Sequence, residues 1–448
     1  MKRTTFVLFI ILLASSVMAE DMAVTVYNSN LGVISETREL DVNKGTGKLA
    51  IRDVPSQIDP ASVRFDIIGG GNGFNLLEQN YAYDLISPDK IYNKFIDHEI
   101  EMIDKKGNIY KGILLSSNRS SFILMDQNKR IKTVNGDNIA EINFPSLPDG
   151  LITRPTLFWL YNSASADKLK TNISYQTGGM SWSAEYVGLL STDEKMLDLS
   201  GWASITNNSG KTYDDAKLKL VAGDIQRADQ INVRGGMMME SSYAVAKAPG
   251  FEEKSFFEYH LYTLPRKATL ANNEQKQISL FDPAQSGVVK SFIYQPEKNN
   301  EKVAVVIEMK NSKDNGLGMP LPEGRVRLFK ADDDGSLILL GEDNIDHTPK
   351  DETIKMRVGY AFDLKAKEEL VNQRRISNKV EEKDFKVEFT NHKETEVVIE
   401  YEKMLYGYWT ITSANFDYNK KNANSITGEA KVAPDQTVTL EYTVRYVH

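Results

Sequence analysis

Cysteine is absent from the 448 residues. That excludes disulfides, thiol nucleophiles, thiolate metal sites and a lipidated thiol behind a leader. Histidine is scarce: only His98, His260, His347, His392 and His448 occur. No G-x-S-x-G elbow, H-E-x-x-H pair or phosphate-cradling glycine loop accompanies them. Basic stripes are missing too. The formal net charge is -8, and removing a leader that carries Lys2 and Arg3 takes it to about -10. A diffuse acidic balance argues against nucleic acid and anionic lipid as partners. Beyond residue 20 there is no apolar run of about 18 residues, so no transmembrane span is expected after the leader is cleaved.

What is present begins with an export pattern. Lys2 and Arg3 precede the apolar run Phe6 to Leu13, and Val17-Met18-Ala19 offers small residues for cleavage before Glu20. Residues 1–19 are therefore expected to be a signal peptide, and the mature chain to reach the periplasm or the cell surface. Hydrophobic residues make up 41% and charged residues 26%, a balance that supports packed cores rather than disorder.

Period-two alternation dominates the rest, the mark of half-buried strands. Val438, Leu440, Tyr442, Val444 and Tyr446 form one face of a strand. Leu197, Leu199, Gly201, Ala203 and Ile205 form another, and Val303, Val305, Ile307 and Met309 a third. Asn135-Gly136 and Asp334-Gly335 read as hairpin turns. Leu364 to Arg374 reads as a short helix or a solvated connector. Ala228 to Phe251, methionine-rich and without a strand pattern, reads as a loop. The fold class is all-β and multi-domain. The expected units are an N-terminal strand region at 20–89, a small SH3-like barrel at 90–146, and β-sandwich-like units at 150–300 and 301–448.

Several segments carry a resemblance. They are Thr177 to Tyr186 (TGGMSWSAEY), Leu199 to Ala203 with Asn207 to Gly210, Ala216 to Gly223, Glu258 to Leu261, and Gly341 to Pro349 (GEDNIDHTP). In this order they resemble the mucoidy-inhibitor-A-like family, a domain-of-unknown-function group of bacterial exported proteins. The resemblance runs from about Arg154 to the C-terminus, and Val24 to Val63 looks like the family's N-terminal strand region. The small barrel departs from the family's longer, often helical, insertions. The resemblance implies an envelope location and a β-rich fold. It brings no catalytic residues and no cofactor.

Two groups of side chains are candidates for a site. One is the polar cluster Glu342, Asp343, Asp346, His347 and Asp351, with Glu352 and Asp332 to Asp334 nearby. Carboxylates and imidazole suit a hard cation or acid–base work. Turn formation explains the same residues, and no metal is assigned. The other is a set of aromatics, Trp202, Tyr408 and Trp409, able to stack on sugars or anchor a partner. Trp202 alternates onto the wet face of its strand, whereas Trp182 and Trp409 read as core. The preferred function is a non-catalytic exported protein that binds an envelope protein or polysaccharide. The alternatives are an envelope hydrolase built on residues 342–352, and a self-assembling surface component or adhesin that pairs through edge strands.

Overall fold

The computed structural model describes residues 21–69, 73–83, 85–118, 120–146, 151–223, 225–226, 251–257 and 259–447. Among the described residues strands dominate, arranged in four sheets of seven, five, three and thirteen strands. The fold is all-β and multi-sheet, as the alternation predicts. Among the described residues no helix is long and apolar enough to cross a membrane. The leader and the methionine-rich loop lie outside the described residues, Phe251 of the latter excepted.

The N-terminal strands do not stand apart from the central ones. Met22–Tyr27 pairs antiparallel with Leu31–Val42 and parallel with Tyr213–Ala222. Asp167–Thr177 joins the other side of Leu31–Val42. The inward residues of this seven-stranded sheet, among them Val24, Val26, Ile34 and Leu220, share one core with Trp182, Tyr186, Leu199 and Ile278 of the thirteen-stranded sheet. Removing two facing apolar surfaces from water is what holds such a sandwich together. Ile307, Met309, Val326, Ile345 and Met356 belong to the same core. This core therefore draws on chain from both sides of residues 89 and 301.

A second core gathers Tyr294, Val303, Leu364, Ala366, Phe389, Ile399, Tyr401, Trp409, Tyr442 and Val444. Three long strands, Glu274–Tyr294, Lys302–Lys310 and Thr353–Ser377, run from the first core into the second. In Lys302–Lys310, Val303 packs into the second core while Ile307 and Met309 pack into the first. The single face expected for Val303 to Met309 is thus divided along its length between two cores, and the Thr353–Ser377 strand takes up the accompanying register shifts with extra residues of its own.

The helix or connector expected at Leu364 to Arg374 is corrected by the same strand. Ala366 lies opposite Phe389 and Leu370 opposite Phe385 in a long antiparallel pairing. Helix-forming side chains yield here to cross-strand packing, because propensity is the weaker term.

The five strands of the small sheet are Glu99–Asp104, Ile109–Asn118, Ser121–Met125, Ile131–Asn135 and Ile139–Asn143. They enclose Ile100, Met102, Leu114, Phe122, Leu124 and Val134. A short helix, Pro88–Lys94, closes one end, started by the Ser87 hydroxyl accepting from the Lys90 N–H. Asn135-Gly136 is not a hairpin. Asn135 caps a 3-10 turn at Gly136–Asn138, and the strands on either side lie at opposite edges of the sheet. Asp334-Gly335 does close a hairpin, between Gly324–Ala331 and Leu337–Ile345, with Gly335 at φ +84°.

Candidate functional site

The polar cluster does not converge. Glu342 accepts a hydrogen bond from Arg327 Nε at 2.8 Å on the outside of the Gly324–Ala331/Leu337–Ile345 hairpin. Asp343 accepts the Arg357 backbone N–H at 2.6 Å. Asp346 is exposed, and its carbonyl accepts the Thr348 hydroxyl at 2.7 Å. His347 Nδ1 accepts the Glu323 N–H at 3.0 Å. Asp351 sits at φ +68° in a turn and donates its N–H to the Asn311 carbonyl at 2.6 Å. Buried Asn311 organises this corner: its amide donates to the carbonyls of Met319 and Pro349 at 2.7 and 2.9 Å. Among the described residues no three His, Asp or Glu side chains form a metal-binding group. His98 and His260 bond the Ile96 carbonyl and Glu253.

The aromatics divide. Trp202 is half-buried beside Glu185 and Ser279. Trp182 and Trp409 are core residues, with indole N–H groups donating to the Val221 and Ala423 carbonyls at 2.9 and 2.8 Å. Tyr408 is 84% exposed and Tyr406 65% exposed. Between them Gly407 takes φ +79°, the left-handed conformation that turns the chain from Val397–Met404 into Tyr408–Ala414.

Beside this turn lies a cleft of ≈ 340 Å³, within the size range of small-molecule pockets. Three pieces of chain build it. Pro296 opens a helical turn after the Glu274–Tyr294 strand, placing Gln295, Glu297 and Lys298 on one wall. The end of Val397–Met404 supplies Glu402 and Met404. The turn between Tyr418–Asn422 and Ser425–Val432 supplies Asn422, Asn424 and Ser425, the Asn422 side chain accepting the Asn424 N–H at 2.8 Å. Tyr406 reaches the cleft indirectly, its hydroxyl 3.7 Å from the Met404 sulfur.

The polar walls are held in place. Gln295 Nε2 donates to Glu402 Oε2 at 2.7 Å, and Lys421 Nζ to Glu402 Oε1 at 3.0 Å. Burial alone would raise the Glu402 carboxyl, but these two hydrogen bonds outweigh it and hold the group below its usual range. Lys403 Nζ lies 3.0 Å from Glu297 Oε1 and also donates to Glu368. Glu368 in turn accepts from the Tyr401 hydroxyl, which lies 2.7 Å from the Tyr442 hydroxyl. Burial pushes Lys403 down, yet its two carboxylate partners raise it above the ordinary lysine value. Burial, reinforced by Glu368, drives Tyr401 and Tyr442 well up. A buried network therefore ends in one wall of the cleft. One polar atom of the lining stands apart: the Ser425 hydroxyl is buried and has no hydrogen-bond partner among the described residues.

Residue type alone does not expose these positions. Asn422 to Ser425 carry an ordinary turn composition, and Gln295, Glu402 and Asn424 meet only through the strand pairing of Val397–Met404. Tyr408 and Trp409 lie a few residues from the chain that lines the cleft, and the exposed neighbour of Tyr408 is Tyr406, not Trp409. No family model matches the chain, and no curated protein matches it.

Proposed function

We propose that this chain is an exported, non-catalytic protein of the cell envelope that binds a protein or cell-surface polymer, and that it does so at the C-terminal cleft. The observation that carries the reading is a pocket-sized cleft whose two carboxylates are held by neighbouring side chains, beside the turn that carries the exposed Tyr406 and Tyr408. Preorganised polar groups at a concave surface are what binding requires, because little ordering entropy remains to be lost. The leader pattern at Lys2 to Ala19, the lack of cysteine and the resemblance to mucoidy-inhibitor-A-like proteins support the location. The polar cluster at 342–352 gives the hydrolase alternative little support, since its members bond their own strands and turns.

The test is cosedimentation of the purified mature chain with isolated envelope polymer, together with crosslinking in intact cells. Retention should fall in Tyr408→Ala and Asn424→Ala while thermal unfolding stays unchanged. Equal retention of both variants, or a processed chain found only in the cytosol, would overturn the reading.

A further inference from the structure

We propose a second binding site, separate from the C-terminal cleft: a cavity of ≈ 300 Å³ at the margin of the first core that takes an aliphatic ammonium group. It opens between the two sheets of the sandwich. Phe251 and Glu253 reach it from the Glu252–Phe256 strand and the residue before it, at the edge of the seven-stranded sheet, and Tyr262 from the neighbouring Tyr259–Leu270. Phe281 and Asp282 reach it from Glu274–Tyr294 of the thirteen-stranded sheet, and a prolyl loop at 319–322 closes one side. The fold holds these walls. The Tyr262 hydroxyl donates to the Pro320 carbonyl at 3.1 Å, and its ring stands edge-on to Trp182, 6.1 Å between centroids. The Phe281 ring lies over Gly201, where a Cβ would come within 2.3 Å of it.

Charge identifies the occupant. Among the described residues the lining has two carboxylates and no lysine, arginine or histidine. His260, outside the lining, brings Nδ1 to 2.8 Å from Glu253 Oε1, and the Glu253 side chain has no other partner among the described residues. Asp282 is exposed, and its side chain makes neither a hydrogen bond nor an ion pair with a described residue. Acceptor capacity is therefore left over beside three aromatic rings. An apolar stem replaces water between the rings, and a protonated amine at its end meets their negative faces and the open carboxylate oxygens. An anionic end would meet the same carboxylates at a cost, and a neutral end gains neither attraction.

The amine is either a free one or the end of a partner's lysine side chain, and the experiment separates the two. Ligand-observed NMR on the purified mature chain compares butylammonium with butanol and butanesulfonate, which share its stem. Butylammonium should bind roughly tenfold more tightly than either, and less tightly at high salt. Asp282→Asn should weaken it roughly two- to fivefold, the loss of one exposed charge. Adding Glu253→Gln, which keeps an acceptor for His260, should erase the preference over butanol while butanol binding and the unfolding midpoint stay unchanged. Nα-acetyl-lysine amide bound as tightly as butylammonium identifies a lysine side chain as the source; its exclusion identifies a free amine, and both sustain the ammonium site. Equal binding of butanol and butylammonium would defeat the charge argument. A preference that survives in the double variant would place the ammonium elsewhere and sink the site.

Discussion

Each of the two large cores contains a buried charged network, and the two differ in where they end. In the first, Glu36 is fully enclosed and accepts from Arg38 at 2.7 Å and from Lys211 at 3.1 Å. Arg38 also donates to the Arg52 and Asp53 carbonyls. This cluster fastens the Leu31–Val42 strand to the chain after Gly45–Arg52 and to the turn before Tyr213–Ala222. It meets the surface at Asp53, 3.6 Å from Lys211 and 3.8 Å from the exposed Arg154, where among the described residues no cleft is lined by it. In the second core, Glu368, Tyr401 and Tyr442 are joined through Lys403 to Glu297, and Glu297 faces the cleft. Similar chemical groups thus serve two ends: a sealed network fixes how strands meet, and one that reaches a cleft also fixes side chains a ligand can touch.

The comparison breaks first at Glu36. Glu36→Gln leaves Arg38 buried without its anion and Lys211 with only the near-surface Asp53, and the expected loss is about 3–5 kcal/mol, the usual consequence of removing one partner of a buried pair. Urea unfolding followed by circular dichroism measures it. A loss below about 1 kcal/mol would mean that the sealed network does not hold the first core.

Tyr401→Phe tests the second network. It strips Glu368 and Tyr442 of a hydrogen-bond partner, and about 1–3 kcal/mol should be lost. The unfolding of the C-terminal unit should shift while the first core's does not. A uniform shift of both would show that the three shared strands fuse the cores into one cooperative unit, erasing the distinction drawn here.

Alkaline pH sharpens the same contrast. Lys403, Tyr401 and Tyr442 all have folded values raised above the ordinary ones. Their contribution is fully present below the unfolded values, near pH 10, and disappears as pH rises through the folded values. Each proton held only by the folded state steepens the fall by about 1.4 kcal/mol per pH unit. Tyr175 and Tyr186 of the first core are raised in the same direction by burial, so wild-type protein should weaken in both cores. Tyr442→Phe should flatten the fall only in the C-terminal unit, read from urea midpoints at stepped alkaline pH.

The strands were largely legible in the chain, and the site was not. Alternation at Leu197 to Ile205 and Val438 to Tyr446 identifies faces that are buried or half-buried in the structure. Alternation does not reveal which core a face joins, because that is decided by what packs against each part of the strand: Val303 meets the second core and Ile307 the first although both lie on one face. Nor does it separate Leu364 to Arg374 from a helix, since the deciding contact, Ala366 opposite Phe389, is long-range. The polar candidates each bond a separate partner, and their composition could not foretell it. Asp and His that bond local backbone have the same composition as Asp and His that hold a ligand. Glu297, Glu402 and Asn424 come from three distant turns and strand ends, so their proximity exists only in the folded chain.

The smallest expected effect on stability is the most informative about the open network. Asn424 is exposed, and its backbone, rather than its side chain, makes the recorded contacts: its carbonyl accepts the Leu405 N–H at 2.7 Å and its N–H donates to Asn422. Asn424→Ala keeps both, so its unfolding free energy should stay within about 0.5 kcal/mol of wild type. A side chain that the fold does not need, placed on the wall of a cleft whose carboxylates are tied down, is free to serve a ligand. Thermal unfolding of Asn424→Ala beside Tyr401→Phe separates the two roles in one unit. If Asn424→Ala destabilised as much as Tyr401→Phe, the cleft wall would belong to the structural network, and the second core would be as sealed in function as the first.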